Sequence, residues 1–403
     1  MLIKDWLNRS RVIAFSLGFI FLFIILTCLI LSRSDFVDPN GLIVFADFRT
    51  LWSASYLVTH GRAADVYDPS VLNSIFWSLD PYRLEVNSAL VDPQNIPVRF
   101  VWLYPPTYLL MMWSASLLPF ATACIVYLIA TFTAYVYVIK KNFSDNVMVL
   151  VLVAFPGVWM NFRLAQNGFL ITALFGGALL LLPKYPRLSG AFIGALCIKP
   201  HLAMMWPVAL LAIGAWQTLF SALATGLFFV GASVYFFGPE LWEGWFSSLY
   251  LARQILETAQ FHWNYSPSVF AFMSLLGAPL SLAYGAHIAI VILLILIVWK
   301  VWRSNASWPM RQSILVFASL LVSPYIMDYD LTLLALPIAL IATQGMKYGW
   351  LPSERRMLAL LWMLPILMVV LASATSFQIG PIVILVAVFT FLRRAMINQQ
   401  NDC

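Results

Sequence analysis

Residues 12–31 form the run VIAFSLGFIFLFIILTCLIL, in which no side chain carries a charge. A helix rises about 1.5 Å per residue and needs about 20 apolar residues to cross the hydrocarbon core of a bilayer. Lys4, Arg9 and Arg11 precede this run, as basic residues do in a signal peptide, but the run lacks a small-x-small cleavage site. We therefore predict an uncleaved signal anchor that forms the first membrane span.

Apolar runs of the same kind continue along the whole chain. Several are too short to span a bilayer alone, since about 20 helical residues are needed. After 12–31 they cover 105–118, 121–139, 146–158, 168–182, 188–198, 202–214, 217–237, 266–278, 281–299, 312–326, 331–344, 357–374 and 376–392. This pattern predicts an all-α polytopic membrane protein.

The composition supports a membrane protein. Of the 403 residues 62% are hydrophobic and 10% charged, and the mean hydropathy is +0.87. A soluble globular protein carries about 25% charged residues, so a soluble enzyme and a nucleic-acid binder are excluded. The four cysteines have no metal-ligand spacing and three lie in apolar runs, which excludes a disulfide scaffold. We instead attribute the net charge of +6 to basic residues in the loops of a membrane protein, where they set the topology.

Basic clusters set the predicted topology. Lys and Arg accumulate on cytoplasmic loops, so we place both termini and the basic clusters in the cytoplasm of a multi-pass inner-membrane protein. The clusters are Lys140-Lys141, Lys184 with Arg187, Lys300 with Arg303 and Arg311, Lys347 with Arg355-Arg356, and Arg393-Arg394. This assignment requires 105–118 and 266–278 to be juxtamembrane or re-entrant helices, which leaves about twelve crossings.

The acidic residues, which did not enter that assignment, agree with it. Thirteen of the 17 then lie outside the cytoplasm. The prediction is one integral membrane domain, 1–403, with two long extracytoplasmic loops at 33–103 and 238–265. The segment 188–214 is the ambiguous point, because one kinked helix there instead of two short ones would invert the loops that follow.

Asp47 begins a predicted amphipathic helix in the first long loop, directly after the apolar stretch 42–46. Its apolar side chains recur at helical spacing: they are Phe48, Leu51, Trp52 and Tyr56. A carboxylate that is partly desolvated at the membrane surface can act as a general base. The alternative is a helix N-cap, a position that aspartate favours.

Lys199 and His201 flank Pro200 between two apolar segments. A lysine at membrane depth is costly and normally faces a cavity or a charged partner, and proline frees backbone groups for a ligand. We predict that Lys199 contacts a lipid-linked phosphate and that His201 belongs to the same substrate site. The alternative is a lysine at a helix end that extends its ammonium group to the membrane interface.

Further candidate substrate contacts lie in polar turns on the predicted outer side. Amides can bind sugar hydroxyls, arginine can face a phosphate, and a pair of carboxylates can bind a sugar or a cation. The candidates are Arg163, Gln166, Asn167, His262 and Asp328, the last of these paired with Asp330. Each of these turns could also be an ordinary solvated turn. The histidines and acidic residues show no zinc-ligand spacing. The sequence also has no phosphate-binding glycine loop, which argues against an ATP-driven pump.

These motifs occur in an order that resembles glycosyltransferase family 87, the polyprenyl-phosphate-mannose-dependent α-1,2-mannosyltransferase type of the GT-C superfamily. The resemblance covers about 45–335. The matching elements are Phe45-Ala46-Asp47-Phe48, Gly61, Tyr67-Asp68-Pro69, Tyr104-Pro105-Pro106, Leu118-Pro119, Gln166-Asn167-Gly168, Ser189 to Ala195, Lys199-Pro200 and Ser323-Pro324.

The resemblance implies a GT-C fold with an extracytoplasmic active site, an aspartate that matches Asp47, and Tyr104 among the substrate contacts. It also implies a polyprenyl-phosphate sugar as donor, no nucleotide sugar, and no strict need for a metal. We further expect a glycolipid or glycan as acceptor, membrane lipid around the chain, no cofactor, no metal ligands and no nucleic acid. The chain departs from the family at Tyr329-Asp330, where related members tend to carry two histidines.

Two other functions stay open at this point. A transporter or a flippase of lipid-linked sugars would use Lys199 and the outer carboxylates to line a substrate path. The absence of an inverted repeat and the long aromatic first loop argue against it. A non-catalytic assembly subunit is the third possibility.

Overall fold

A computed structural model describes residues 8–31, 45–79, 100–143, 145–258 and 262–400. Throughout these ranges the regular structure is helical. The α-helices are α1 (Arg9–Leu31), α2 (Ala46–Thr59), α3 (Pro69–Ser78), α4 (Pro106–Met112), α5 (Phe120–Asn142), α6 (Asn146–Val153), α7 (Pro156–Leu164), α8 (Gly168–Leu181), α9 (Pro186–Ala195), α10 (Trp206–Ala212), α11 (Trp216–Phe237), α12 (Glu240–Glu257), α13 (Val269–Leu275), α14 (Leu280–Arg303), α15 (Trp308–Leu321), α16 (Ala335–Tyr348), α17 (Glu354–Thr375) and α18 (Gly380–Gln400).

Six described helices are long and apolar enough to cross a membrane. A seventh span results if α6 and α7, which are bent by 48° relative to each other, are counted as one. The six are Arg9–Leu29, Phe120–Asn142, Trp216–Phe237, Leu280–Arg303, Asp328–Tyr348 and Glu354–Thr375. The described residues are thus those of an all-helical, multi-pass membrane protein.

Other predicted segments form helices below spanning length. Helix α8 has 14 residues, which at about 1.5 Å each is about 21 Å, less than the hydrocarbon thickness of about 30 Å. Most of its side chains are buried among other helices. Within the described ranges six or seven helices therefore reach spanning length, and the twelve crossings expected from charge stay a prediction.

The predicted cytoplasmic loops gather at one end of the bundle, here called the basic end: loops 142–146, 182–186, 303–308 and 348–354. Contacts between helix termini connect them. Arg9 lies 3.5 Å from Asp145, the Gln312 amide donates to the Leu179 carbonyl at 3.1 Å, and Arg394 pairs with the buried Glu354 at 2.5 Å. Both described termini therefore lie at the basic end.

The opposite end, here called the site end, consists of 45–79, 100–118, 163–168 and 322–330. The Phe45 amide donates to the Arg163 carbonyl at 3.1 Å, which fixes the start of α2 on the end of α7. The Ser116 amide donates to Ser55 Oγ at 2.9 Å. Segment 105–118 is thus broken into α4 and a short 3-10 helix, Ala115–Leu117, that pack at this end.

Segment 188–214 forms a helical hairpin, not one kinked helix. Helix α9 packs parallel to α11, because a Cβ on Gly190 would lie 2.4 Å from the Thr218 carbonyl oxygen and one on Gly194 would lie 2.5 Å from that of Ala222. The chain between α9 and α11 must therefore return toward the basic end through α10. Lys199 lies at the tip of this hairpin, between two 3-10 turns.

The first long loop contains the amphipathic helix predicted from 47–56. Helix α2 buries Phe48, Leu51 and Trp52 and is followed by the 3-10 helix Ala63–Tyr67 and by α3. Asp68 caps α3 by accepting hydrogen bonds from the amides of Ser70 and Val71. The remainder of the predicted loop, 33–44 and 80–99, lies outside the described residues, as does part of the apolar stretch 42–46.

Candidate functional site

A cavity of about 600 Å³ opens at the site end between α2, the α7–α8 turn, the hairpin tip and α12. Of the nine residues predicted from sequence to form the site, eight line it: Asp47, Tyr104, Arg163, Gln166, Lys199, His201, His262 and Asp328. The ninth, Asn167, lies behind the wall and contacts Lys199 through its side-chain oxygen at 3.5 Å. The structure thus brings together residues that are up to 281 positions apart in sequence.

Asp47 is not a helix cap. The N-cap of α2 is Phe45, which adopts a left-handed conformation with φ 56°, and Asp47 lies in the first turn. The strained residue is fixed by the bond from its amide to the Arg163 carbonyl. Among the described hydrogen bonds, the Asp47 carboxylate accepts one from Gln166 Nε2 at 3.0 Å. Asp47 therefore faces the cavity in a position suited to accept a proton.

The pKa of Asp47 is raised to about 6, chiefly because burial penalises the charged carboxylate. The hydrogen bond from Gln166 and the positive charges of Arg163 and Lys199 oppose this rise, and the nearby Asp330 adds to it. A carboxylate with a pKa of about 6 is ionised at neutral pH and is a stronger base than an exposed aspartate. These are the properties of a general base.

Gln166 orients the carboxylate through a chain of hydrogen bonds. Its Oε1 accepts from the hydroxyl of Tyr104 at 2.9 Å and from the Asn167 amide at 2.7 Å, so its Nε2 must point to Asp47. Ala165, with φ 49° in the turn between α7 and α8, directs Gln166 inward. Burial raises the pKa of Tyr104 well above its usual value, so its hydroxyl stays protonated as a donor.

Lys199 is buried, with 4% of its surface exposed. Its ammonium group donates to Asp330 Oδ1 at 2.5 Å and lies 4.6 Å from the centre of the Tyr329 ring. The partner that its burial requires is therefore Asp330, which the sequence analysis had noted only as a neighbour of Asp328. Lys199 therefore does not extend its ammonium group to the membrane interface, which was the alternative prediction.

Arg163 and Asp328 form a second pair of opposite charges. The distance from Arg163 Nη2 to Asp328 Oδ2 is 3.8 Å, and the Asp328 side chain is 1% exposed. The other oxygen of Asp328 accepts from the Tyr329 amide at 2.8 Å. Asp328 and Asp330 lie on a 3-10 helix, Asp328–Leu334, that packs against the start of α8.

Gly168 permits that packing. A Cβ at this position would lie 2.6 Å from the carbonyl oxygen of Tyr329 and 2.6 Å from Asn161 Oδ1. The absence of a side chain therefore lets the 3-10 helix approach α8 closely. This contact brings Asp328 close to Arg163 and Asp330 close to Lys199.

The two histidines lie in different surroundings. His201 follows Lys199 on the hairpin tip, and its buried Nε2 has no hydrogen-bond partner among the described residues. His262 is exposed at the cavity mouth and packs edge-on against the ring of Tyr265, with ring centres 6.1 Å apart. Both can reach a ligand in the cavity.

Sequence reasoning missed the apolar wall of the cavity. Trp245, Leu249 and Ala252 lie on one face of α12 at a spacing of four and three residues and line the cavity. Trp245 Nε1 donates to the Leu103 carbonyl at 3.3 Å and so attaches α12 to the chain before α4. The spacing was a visible signal, but nothing in the sequence indicates which element this face packs on.

No group of three or more His, Cys, Asp or Glu side chains within the described ranges is arranged to hold a metal ion. Two of the three carboxylates at the site are instead paired with a cation each.

Comparison with known proteins identifies the family but not a close relative. The sequence model of glycosyltransferase family 87 matches residues 102–324, more than half of the 403-residue chain. Searches of curated proteins and of solved structures found no match. The matched region includes Tyr104, Arg163 and Lys199 but neither Asp47 nor Asp330. The resemblance inferred from the sequence is confirmed, and the chain belongs to glycosyltransferase family 87.

Proposed function

We propose that the protein transfers a hexose, mannose by resemblance, from a polyprenyl-phosphate donor to a hydroxyl of a glycolipid or glycan acceptor. The reaction takes place on the extracytoplasmic face and inverts the anomeric centre, with Asp47 as general base. The observation that carries the proposal is the convergence of a basic carboxylate, the buried Lys199 and the partly buried Arg163 in one cavity of a family 87 glycosyltransferase.

The Asp47 carboxylate supports the first half of the reaction. It accepts the proton of the acceptor hydroxyl while that oxygen attacks the anomeric carbon from the face opposite the phosphate. Gln166 and Tyr104 hold the carboxylate in place, so little reorganisation is needed when the proton moves.

Arg163 and Lys199 support the second half. The bond between the anomeric carbon and the phosphate oxygen breaks, and the lipid phosphate leaves with the electron pair. Cationic side chains stabilise the negative charge that develops on the leaving oxygen. Arg163 suits this task because its planar group contacts two oxygens at once, and Lys199 supplies a point charge.

The shape of the cavity favours an amphiphilic donor. Its polar part contains Asp47, Arg163 and Lys199, and its apolar part is the α12 face with Trp245 and Leu249. A sugar phosphate fits the first part and an isoprenoid chain the second. A water-soluble nucleotide sugar has no hydrocarbon chain that could contact this apolar face.

The proposed architecture is a GT-C fold. It has twelve segments running between the basic end and the site end, with re-entrant helices at 105–118 and 266–278. We assign the basic end and both termini to the cytoplasm because Lys and Arg concentrate on cytoplasmic loops. The membrane that we propose for the chain is the inner (plasma) membrane.

Donor competition with the purified protein tests the proposal. We expect sugar transfer from a radiolabelled polyprenyl-phosphate hexose to a membrane glycolipid fraction, and none from the matching nucleotide sugar. The glycosidic bond formed should have the anomeric configuration opposite to that of the donor. Transport of the lipid-linked sugar across vesicles without transfer would contradict the proposal and favour a flippase.

A further inference from the structure

Each cation of the cavity already has a carboxylate partner. Lys199 pairs with Asp330 at 2.5 Å and Arg163 with Asp328 at 3.8 Å, while Asp47 is a third carboxylate at the same site. Three carboxylates against two cations leave these described residues with one formal negative charge. A phosphate that enters the cavity therefore meets no uncompensated positive charge from this set.

The Lys199–Asp330 pair is the more tightly held of the two. Both side chains are buried, at 4% and 0% exposure, and the second oxygen of Asp330 accepts from the Met327 amide at 3.1 Å. Asp330 is thus fixed to its own turn and cannot follow Lys199 toward a ligand. A phosphate on Lys199 would lie about 5–6 Å from the Asp330 carboxylate, given about 3 Å for a hydrogen bond.

The proposed reaction changes the charge of the lipid phosphate. The donor is a phosphodiester with one negative charge, whereas the product is a phosphomonoester with a charge of about −1.5 to −2 at neutral pH. A lysine without a carboxylate partner would bind the product more tightly than the donor. The product would then inhibit the next cycle.

We infer that Asp330 is a specificity-determining residue: by its charge beside Lys199 it makes the cavity select singly charged lipid phosphodiesters over doubly charged lipid phosphomonoesters. The inference rests on the proposed function and extends it, because it names the property that separates donor from spent lipid. Asp330 does not contact the reacting atoms. It acts through Lys199.

The size of the effect follows from Coulomb's law. One extra negative charge about 6 Å from Asp330, at an effective dielectric constant of about 20, is disfavoured by about 100-fold. Partial ionisation of the monoester reduces this value, so the charge of Asp330 should shift the ratio of the two affinities by about 10- to 100-fold toward the diester. A pair that only satisfied a buried lysine would change the affinity for both lipids by the same factor.

The test measures two ligands on the full-length protein in lipid nanodiscs: a short-chain prenyl monophosphate and the methyl phosphodiester of the same prenyl chain. Binding is followed by tryptophan fluorescence, since Trp245 lines the cavity. At about pH 8 the ratio of diester affinity to monoester affinity should be at least about tenfold higher in the wild type than in Asp330→Asn. At about pH 5, where the monoester carries one charge, the two affinities should converge.

At about pH 5 both ligands carry one negative charge, so titration of the protein cannot by charge alone make their affinities differ. The ionisable side chains that face the cavity are Asp47, Tyr104, Arg163, Lys199, His201, His262, Tyr265, Tyr325, Asp328 and Tyr329, with Asp330 behind Lys199. Their charges act on both ligands. The methyl diester does not titrate between about pH 5 and pH 8, so a change in the ratio reports the charge of the monoester.

Two variants assign the effect to Asp330. Asp330→Asn, which keeps an oxygen for Lys199, should lose or reverse the discrimination, whereas Asp330→Glu, which keeps the charge, should retain it. An unchanged ratio in Asp330→Asn would overturn the inference, as would tighter binding of the monoester by the wild type at about pH 8. If Asp330→Asn does not fold, tighter binding of the monoester by the wild type still overturns the inference, and Asp330→Glu still tests whether keeping the charge keeps the discrimination. Failure of both lipids to bind would refute the proposed donor class instead.

Discussion

At the residue scale, the proposed chemistry depends on the groups that set the basicity of the Asp47 carboxylate. Burial raises its pKa to about 6, and the amide of Gln166 limits that rise by donating a hydrogen bond to the charged form. The Tyr104 hydroxyl fixes the amide orientation. The basicity of Asp47 is thus adjusted by a neutral side chain whose removal changes no formal charge.

We expect kcat/KM of the wild type to fall below about pH 6, because Asp47 then binds a proton and cannot act as a base. In Gln166→Leu the charged carboxylate loses its hydrogen bond, so its pKa rises and the acidic limb of the pH profile moves to higher pH. Transfer rates measured across this pH range check the shift. Tyr104→Phe is the control, since it leaves the amide donor in place and should move the limb less. A limb at the same pH in wild type and Gln166→Leu would exclude Asp47 as the titrating group.

The residue types of the site could be predicted from the sequence, but one of its pairings could not. A carboxylate beside an apolar stretch and a lysine inside one are energetically unfavourable unless they have a function or a partner. Asp47 and Lys199 could be recognised as candidate site residues for this reason. Asp330 was visible only as a neighbour of Asp328. Its pairing with Lys199 depends on the turn of a 3-10 helix and on Gly168, which the pattern of apolar residues does not encode.

Interrupted helices position the site at the element scale. Lys199 lies where the hairpin of α9 and α10 breaks, Asp47 in the first turn of α2, and Arg163 at the end of α7 after the 48° bend. Broken helices expose polar backbone only where protein or a cavity covers it. The contact of α9 with α11 through Gly190 and Gly194 sets the depth of the hairpin tip.

Gly194→Ala should therefore damage both stability and donor binding. The new Cβ would lie 2.5 Å from the Ala222 carbonyl, so α9 must move away from α11 and carry Lys199 with it. Overpacking of this kind costs about 1–3 kcal/mol. Thermal unfolding and the donor KM, measured on the same purified variant, should show a lower Tm and a higher KM.

Gly231→Ala is the matched control, because a Cβ on that glycine of α11 meets nothing within 4 Å. It should leave both values close to those of the wild type. Equal behaviour of the two variants would mean that the α9–α11 contact does not position Lys199.

The positions of most helices were predictable at this scale, and their lengths less so. The apolar runs 121–139, 217–237 and 281–299 correspond to α5, α11 and α14. Helices α5 and α14 extend a few residues beyond their runs into polar flanks, whereas α11 matches its run to within one residue. The runs 146–158 and 331–344 differ, since one is bent at Pro156 and the other begins as a 3-10 helix. Tertiary contacts at the cavity impose these breaks.

At the scale of the whole molecule, the basic clusters and the candidate functional site lie at opposite ends. The basic end holds the clustered lysines and arginines, and the site end holds the cavity and most of the acidic residues that the structure describes. The hairpin at 188–214 preserves this separation, because a single span there would exchange the ends of all following helices. The basic clusters of the described residues lie at one end, as the charge pattern predicts, and the side of the membrane that each end faces stays a prediction.

Cysteine labelling of intact cells tests this topology. In a variant without the four native cysteines, we expect His60→Cys and Tyr250→Cys to react with an impermeant thiol reagent, because both positions are exposed at the proposed outer face. Tyr348→Cys, which is equally exposed at the basic end, should react only after the cells are permeabilised. Labelling of 348 but not of 250 in intact cells would reverse the proposed orientation.

The turnover of Asp47→Asn at saturating donor tests the central claim most directly. The amide keeps the size of the carboxylate but cannot accept the proton, so the rate should fall by about 10²–10⁴ while the Tm stays near that of the wild type. Asp68→Asn, an equivalent change at the same end but outside the cavity, should transfer sugar at nearly the wild-type rate. Wild-type turnover in Asp47→Asn would contradict the account.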